Sequence, residues 1–189
     1  MVRDLLAGFA HWLRARGQRV LHPWRRRKTI SRLKRHRMPR GVLFVCHGNI
    51  CRSPYAEAAF RDRLGGSVSS VIHVLSAGFI GPIRPAPRFA VEEAAARGVD
   101  LRDHRSKTIT PMALRSVDIV AVMEPGQAPA VAKMFPTAAS IIVLGDLDPH
   151  PNGGRTIVDP VDKSRAIFAA SYDRIDRCID VLADVVVGA

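Results

Sequence analysis

A chain of 189 residues, 47% hydrophobic with a mean hydropathy of +0.03, suffices for one domain with a substantial core and a modest appendage. No stretch approaches the roughly 18 consecutive apolar residues of a spanning helix, which excludes an integral helical membrane protein. The three cysteines, Cys46, Cys51 and Cys178, have neither disulfide-scaffold nor CxxC spacing and favour a reducing compartment in which thiols stay free.

The formal charge of +12 is confined to the start of the chain. Residues 1–40 carry thirteen of the 29 bases and one of the 17 acids, so the 16 bases and 16 acids that follow cancel. The basicity therefore belongs to an N-terminal extension and says nothing about residues 41–189. Val2, Leu5, Leu6, Phe9, Trp12 and Leu13 recur at helical spacing, which predicts a short amphipathic helix over 2–16. His11, Gly8 and Arg14 interrupt any continuous apolar core, so no secretory signal is visible, although an organelle transit peptide has a similar composition. Gly17 and Pro23 break the pattern, and Arg25 to Arg40 holds too little apolar content to fold alone, which reads as a linker or tail.

The folded domain is expected to begin at Gly41. Gly41 to Cys46 is an apolar run that suits a strand buried on both faces of a parallel sheet. Ser53-Pro54 supplies an N-cap and a first-turn proline for a helix to about Leu64. Further strands are expected at 71–76, 117–123 and 140–144, and helices around 89–97 and 127–134. A final helix over about 163–187 places Ile167, Phe168, Ile175, Cys178, Ile179 and Leu182 on one stripe. Alternating strands and helices indicate an α/β domain with a parallel sheet, in which ligands bind beyond the carboxyl ends of strands. Cys46 sits at such an end.

Residues 46–53 read Cys-His-Gly-Asn-Ile-Cys-Arg-Ser, a C-x5-R sequence between a strand and a helix N-terminus. Five intervening residues can wrap so that successive N–H groups converge on one tetrahedral anion, with Gly48 easing the turn and the helix dipole adding positive potential. Arg52 can meet two phosphate oxygens with its planar fork, which lysine cannot reproduce. The same donors favour the thiolate of Cys46, so nucleophile and anion site are one device. A cysteine ending an apolar strand is by itself commonly a small buried hydrophobe; the full constellation argues otherwise.

Val42 to Glu57, VLFVCHGNICRSPYAE, resembles the signature of low-molecular-weight protein tyrosine phosphatases. The resemblance continues at Ser76-Ala77-Gly78, His104-Arg105-Ser106, Val120 to Glu124 and Asp159-Pro160, spanning 41–189 in the family's order. It implies a three-layer α/β sandwich, a four-stranded parallel sheet with helices on both faces and the phosphate loop after the first strand. It also implies a cysteinyl-phosphate intermediate, with no metal and no cofactor. On this reading Cys46 is the nucleophile, Arg52 the phosphate clamp and Asp159 the general acid. Ser53 hydrogen-bonds the thiolate, Asn49 holds the loop, and His47, Gly48, Ile50 and Cys51 complete the substrate cradle. Chemistry independently requires the acid, because the departing oxygen must take a proton and water must then be activated. Asp148-Pro149 is a rival pair, but its position before the last helix fits the family less well and reads as a turn.

Two departures bear on specificity: Val161 stands where the family often has an aromatic after Asp-Pro, and His47 occupies a commonly apolar position, either as a solvated rim residue or as a pH-sensitive contact. Cys51 shares the loop with Cys46 and is either packing or the partner of a protective disulfide; Cys178 reads as core. The expected partner is a phosphotyrosine protein, with a tyrosine kinase of polysaccharide export suggested by bacterial relatives. An arsenate reductase of the same fold is the rival enzyme, disfavoured because 79–117 contains no cysteine. A non-enzymatic phosphate-binding module would not require Cys46, Arg52 and Asp159 together. The extension suits an anionic membrane surface more than nucleic acid, or is a solvated tail; the setting expected is cytoplasmic, peripheral at the inner membrane surface.

Overall fold

The computed structural model describes residues 2–134, 136, 139–150 and 154–188, with side chains from residue 16 onward. The N-terminal apolar stripe at Val2, Leu5, Leu6, Phe9, Trp12 and Leu13 thus has its side chains outside the described residues. Four parallel strands, β1 (Gly41–Cys46), β2 (His73–Gly78), β3 (Ile119–Val122) and β4 (Ser140–Val143), form one sheet in the order β2-β1-β3-β4. β1 is buried at every position, which is why its sequence is an unbroken apolar run rather than an alternating one. The register sets Cys46, the last residue of β1, beside Gly78, the last of β2.

The helices are α1 (Val2–Leu33), α2 (Arg52–Ser69, interrupted at the non-helical Gly65), α3 (Arg88–Ala95), α4 (Pro111–Arg115), α5 (Gln127–Met134) and α6 (Arg165–Val187). One core, between the sheet and α2, α3 and α6, gathers Phe44, Phe60, Phe168, Ile175 and Ile179. The other gathers Leu43, Val45, Leu114, Val120 and Val131 under α4 and α5. This is the three-layer arrangement that the family resemblance implies. α6 also grips α2, because Tyr55 and Tyr172 stack with centroids 3.9 Å apart and Tyr172 donates to the Cys51 carbonyl. The first turn of the helix following the loop is thereby tied to the last helix of the chain.

The start of the chain departs from the sequence expectation. α1 runs unbroken through Gly17 and Pro23, and a short 3-10 turn at Lys34–His36 leads into β1. Propensity alone argues for a break at Pro23, which lacks an N–H and costs a helix interior about 3 kcal/mol. Packing overrides it. His22, Thr29 and Leu33, spaced seven and four residues apart, form a buried seam. His22 Nε2 donates to the Asp148 carbonyl at 2.7 Å, Arg26 Nε to the Leu147 carbonyl at 3.3 Å, and His36 Nε2 bonds Ser140 Oγ at 2.8 Å. A segment too polar to fold alone is helical because a tertiary surface receives one of its faces. Leu33→Ala is accordingly expected to lower unfolding free energy by about 2–5 kcal/mol in a urea titration, as for a buried core leucine. A loss below about 0.5 kcal/mol, the value for a surface site, would show that the seam does not form.

Candidate active site

The loop between β1 and α2 owes its shape to bonds from outside it. The carbonyl of His47 accepts from the N–H groups of Phe79 (2.8 Å) and Ile80 (3.3 Å), that of Gly48 from Arg84 Nη2 (2.9 Å), and that of Asn49 from His104 Nε2 (2.7 Å). In a planar trans peptide the C=O and the following N–H point in opposite directions. Three carbonyls held outward therefore turn the N–H groups of Gly48, Asn49 and Ile50 inward. Of these, Asn49 N–H reaches Cys46 Sγ at 3.2 Å. Because a carbonyl can only accept, His104 carries its proton on Nε2; burial holds this imidazole below its ordinary value, so it is neutral at neutral pH.

Gly78 is the floor of the loop. A Cβ built there would lie 2.8 Å from the Asn49 nitrogen and 2.9 Å from the His47 oxygen, contacts that backbone cannot yield without moving.

Asn49, fully buried at φ +50°, uses every polar group it has. Its Nδ2 donates to Ser53 Oγ and to Ser76 Oγ, both at 2.9 Å, and its Oδ1 accepts from Lys107 N–H at 2.7 Å. Ser76 in turn donates to Glu57 Oε2 at 2.5 Å. Ser53 Oγ, already an acceptor from Asn49, has one proton left, with Cys46 Sγ at 3.0 Å and the Ala77 carbonyl at 3.4 Å. The shorter contact is to sulfur, and against a thiolate the hydroxyl must be the donor. Cys46 is thus a buried thiol with an N–H and an O–H aimed at it.

Arg52, 1% exposed, is the first residue of α2. Its Nη1 donates to Glu124 Oε1 (2.8 Å) and the Ile157 carbonyl (2.9 Å), and its Nη2 is paired with Asp159. Among the described residues its Nε is buried without a partner. Such an orphan is rare in native proteins and leaves a guanidinium N–H edge ready for an acceptor from outside the described residues. Gln127 orients Glu124, donating to its Oε1 at 3.2 Å while accepting from the N–H of Met123 at 3.0 Å.

The sequence-selected residues therefore converge. A cleft of about 150 Å³ is lined by Cys46, His47, Gly48, Ile50, Cys51, Ile80, Arg84, Asp159 and Val161. His47 is exposed on its rim. Burial pushes the Cys51 thiol well up, so it is protonated. Asp148 stands apart: 1% exposed, it accepts from Arg174 Nε and Arg177 Nε at 3.0 Å each. It is more than a turn residue, serving as the buried counter-charge that fastens the segment after β4 to α6. Phe79, Arg84, Glu57 and Glu124 carry contacts to which the sequence reading gave no role, as do Ser76 and His104. Glu57, Glu124, Ser76 and His104 lie in motifs that carry the family resemblance, whereas Phe79 and Arg84 lie outside them.

The model of the family described as low molecular weight phosphotyrosine protein phosphatase matches residues 41–187. The chain belongs to that family. It is a phosphoric monoester hydrolase of the protein-tyrosine-phosphatase type. It is 34% identical over 146 residues, 76% of this chain and 93% of the other, to the "Probable low molecular weight protein-tyrosine-phosphatase EpsP" of Ralstonia nicotianae. The solved structure of Vibrio vulnificus Wzb in complex with benzylphosphonate is similar at 30% identity and a TM-score of 0.67, covering 76% of this chain and 97% of that one. The YwlE arginine phosphatase of Geobacillus stearothermophilus is similar at 26% identity and a TM-score of 0.67, covering 76% and 90%. The phosphatase thus carries a segment, α1 and the turn after it, that precedes the family match.

Proposed function

We propose that residues 41–189 form the catalytic unit and that Cys46, Arg52 and Asp159 carry out hydrolysis of phosphotyrosine in a protein substrate. The observation that carries this reading is the orphaned Nε of buried Arg52 beside a thiol held by Ser53 and Asn49. A phosphoryl group between the two meets Arg52 Nε and the inward N–H groups of the loop. The thiolate of Cys46 attacks phosphorus, the bond from phosphorus to the phenolic oxygen breaks, and Asp159 gives that oxygen its proton. The Asp159 carboxylate then takes a proton from water as the water attacks the phosphocysteine, and phosphate leaves with the thiolate restored. Ser53 and Asn49 stabilise the sulfur anion at departure, and the chain from Asn49 through Ser76 to Glu57 fixes their orientation.

Substrate class follows from the cleft walls. Ile50, Ile80 and Val161 offer aliphatic surface for a planar ring. A phosphoguanidine would bring several polar N–H groups into the same cleft, where Asp159 can accept from some of them but Ile50, Ile80 and Val161 from none, at a cost of about 1–3 kcal/mol for each group left buried and unpaired. Val161 gives up the ring-on-ring contact of an aromatic but keeps an apolar wall. The expected result is a kcat/KM at least about tenfold higher on a phosphotyrosine peptide than on the matching phosphoarginine peptide. The reverse order would assign the site to phosphoarginine. A tyrosine kinase that autophosphorylates is the partner class that fits this substrate.

The shared loop also suggests redox protection. Peroxide converts the Cys46 thiolate to a sulfenic acid, and the Cys51 thiol can condense with it, forming the S–S bond and releasing water. With Cys51 protonated, condensation should be slow, but it would still outrun over-oxidation at low peroxide. After peroxide and then dithiothreitol, wild type should regain most of its activity and Cys51→Ser much less. Equal recovery of the two would reduce Cys51 to packing.

A further inference from the structure

Among the described side chains of α1, those from residue 16 onward, the domain buries those of one face. Opposite the seam of His22, Thr29 and Leu33, Val20 is 72% exposed and Trp24 60%, and Leu21, on the flank between them and the seam, is 49% exposed. A large aromatic and two aliphatic side chains in solvent on adjacent turns call for an explanation that scattered surface leucines do not. Arg27 and Lys28 are exposed on the same stretch, and the Lys28 ammonium sits 5.0 Å from the Trp24 ring centroid. Beside Trp24 a cleft of about 230 Å³ is lined by Arg25, Lys28, Arg32 and Arg155, with Asp146 already paired to Arg155 at 2.8 Å. In the sequence the apolar series Val2, Leu6, Phe9, Leu13 advances by four, three and four residues, and Val20 and Trp24 follow in the same helical phase.

The direction of α1 adds to this. Its seam meets Ser140, at the start of β4, through the adjoining turn, and Leu147 and Asp148, beyond the end of β4, through Arg26 and His22. β4 is parallel to β3, and β3 to β1. The amino-terminal turns of α1 therefore project past the same end of the sheet at which Cys46 sits, by about 30 Å for the 20 residues before His22.

We propose that the outward face of α1 seats the phosphatase on an anionic phospholipid surface. Val20, Leu21 and Trp24 enter the interface, and lipid phosphates meet the basic cleft formed by Arg25, Lys28 and Arg32. A helix with apolar residues on one side and bases flanking them lies in the plane of such a surface. The thirteen bases of residues 1–40 are attracted to it, while the balanced remainder of the chain neither helps nor opposes. Nucleic acid would engage the same bases but gains nothing from exposed Val20, Leu21 and Trp24. Docking leaves the active-site end of the sheet on the side toward which the helix projects, close to membrane-proximal substrate segments.

The test is co-sedimentation of the full chain with vesicles of phosphatidylglycerol and phosphatidylcholine, and with phosphatidylcholine alone. Aryl phosphatase activity and melting temperature are followed in parallel, so that failure of the surface is distinct from failure of the catalytic reading. The expected results are binding to the anionic vesicles only, and weakening at 1 M salt as the Debye length falls from about 10 to about 3 Å. Val20→Ser/Trp24→Ser should reduce affinity about tenfold or more with activity and melting temperature unchanged. If that variant is unstable, Arg27→Glu/Lys28→Glu provides the second reading, again with weaker anionic binding expected. Equal binding to neutral vesicles, unchanged affinity of a folded variant, or salt-sensitive binding to duplex DNA with none to vesicles would each overturn the proposal.

Discussion

Cys46→Ser should lower turnover of an aryl phosphate by about 10⁴-fold or more, without metal and with the fold intact, because a serine hydroxyl ionises far less readily than a thiol and an alkoxide leaves phosphorus far less readily than a thiolate. Arg52→Lys should lose about 10³-fold for a different reason. An ammonium cannot present the Nε and Nη edge together, and it leaves the Ile157 carbonyl, Glu124 and Asp159 without the guanidinium that now meets all three. The two variants are separable by binding. Cys46→Ser should still bind inorganic phosphate, since loop N–H groups and guanidinium remain, whereas Arg52→Lys should bind it far more weakly. Substantial turnover by Cys46→Ser would take away the nucleophile, and normal phosphate binding by Arg52→Lys would take away the clamp.

Asp159→Ala should cost about 10²–10⁴-fold on phosphotyrosine, the range for one positioned acid, and much less on a substrate with a strongly acidic phenol. A good leaving group departs as its anion and needs little protonation, so the size of the defect should track phenol acidity. A defect of equal size on both substrates would mean that Asp159 acts through Arg52, with which it is paired, rather than on the departing oxygen. Asp148→Ala gives the contrast. Removing that carboxylate takes away the buried counter-charge shared by Arg174 and Arg177, so its effect should appear in melting temperature and be indifferent to the leaving group.

β1, the loop and α2 were legible because the signals are local. An unbroken apolar run, a loop of fixed length and Ser-Pro at a helix start each act within a few residues. The order of the strands was not accessible, since nothing in β4 itself says that it lies beside β3. α1 was misread where local rules are strongest: Gly17 and Pro23 argue for a break, and the polar run after them hides the seam of His22, Thr29 and Leu33. Three residues spread over eleven positions are a weak periodic signal, and the carbonyls that His22 and Arg26 meet, at Asp148 and Leu147, lie more than 120 residues away. The loop showed the same division. Cys46, Asn49, Arg52 and Ser53 announce themselves by spacing, whereas the N–H of Phe79 and the side chains of Arg84, His104 and Glu124 arrive from distant segments. No rule of composition links these to the loop.

Gly78 gives that division a practical edge. The close approach of its backbone to Asn49 and His47 means that the neighbouring strand acts as a mould, against which the octapeptide is cast. Transplanted into another strand-to-helix junction, the eight residues from Cys46 to Ser53 would keep their chemistry and lose their form. What a designer would have to move is a two-strand module: β1 with its loop, β2 ending in a residue that has no side chain, and the donors at 79, 84 and 104 that draw the carbonyls back.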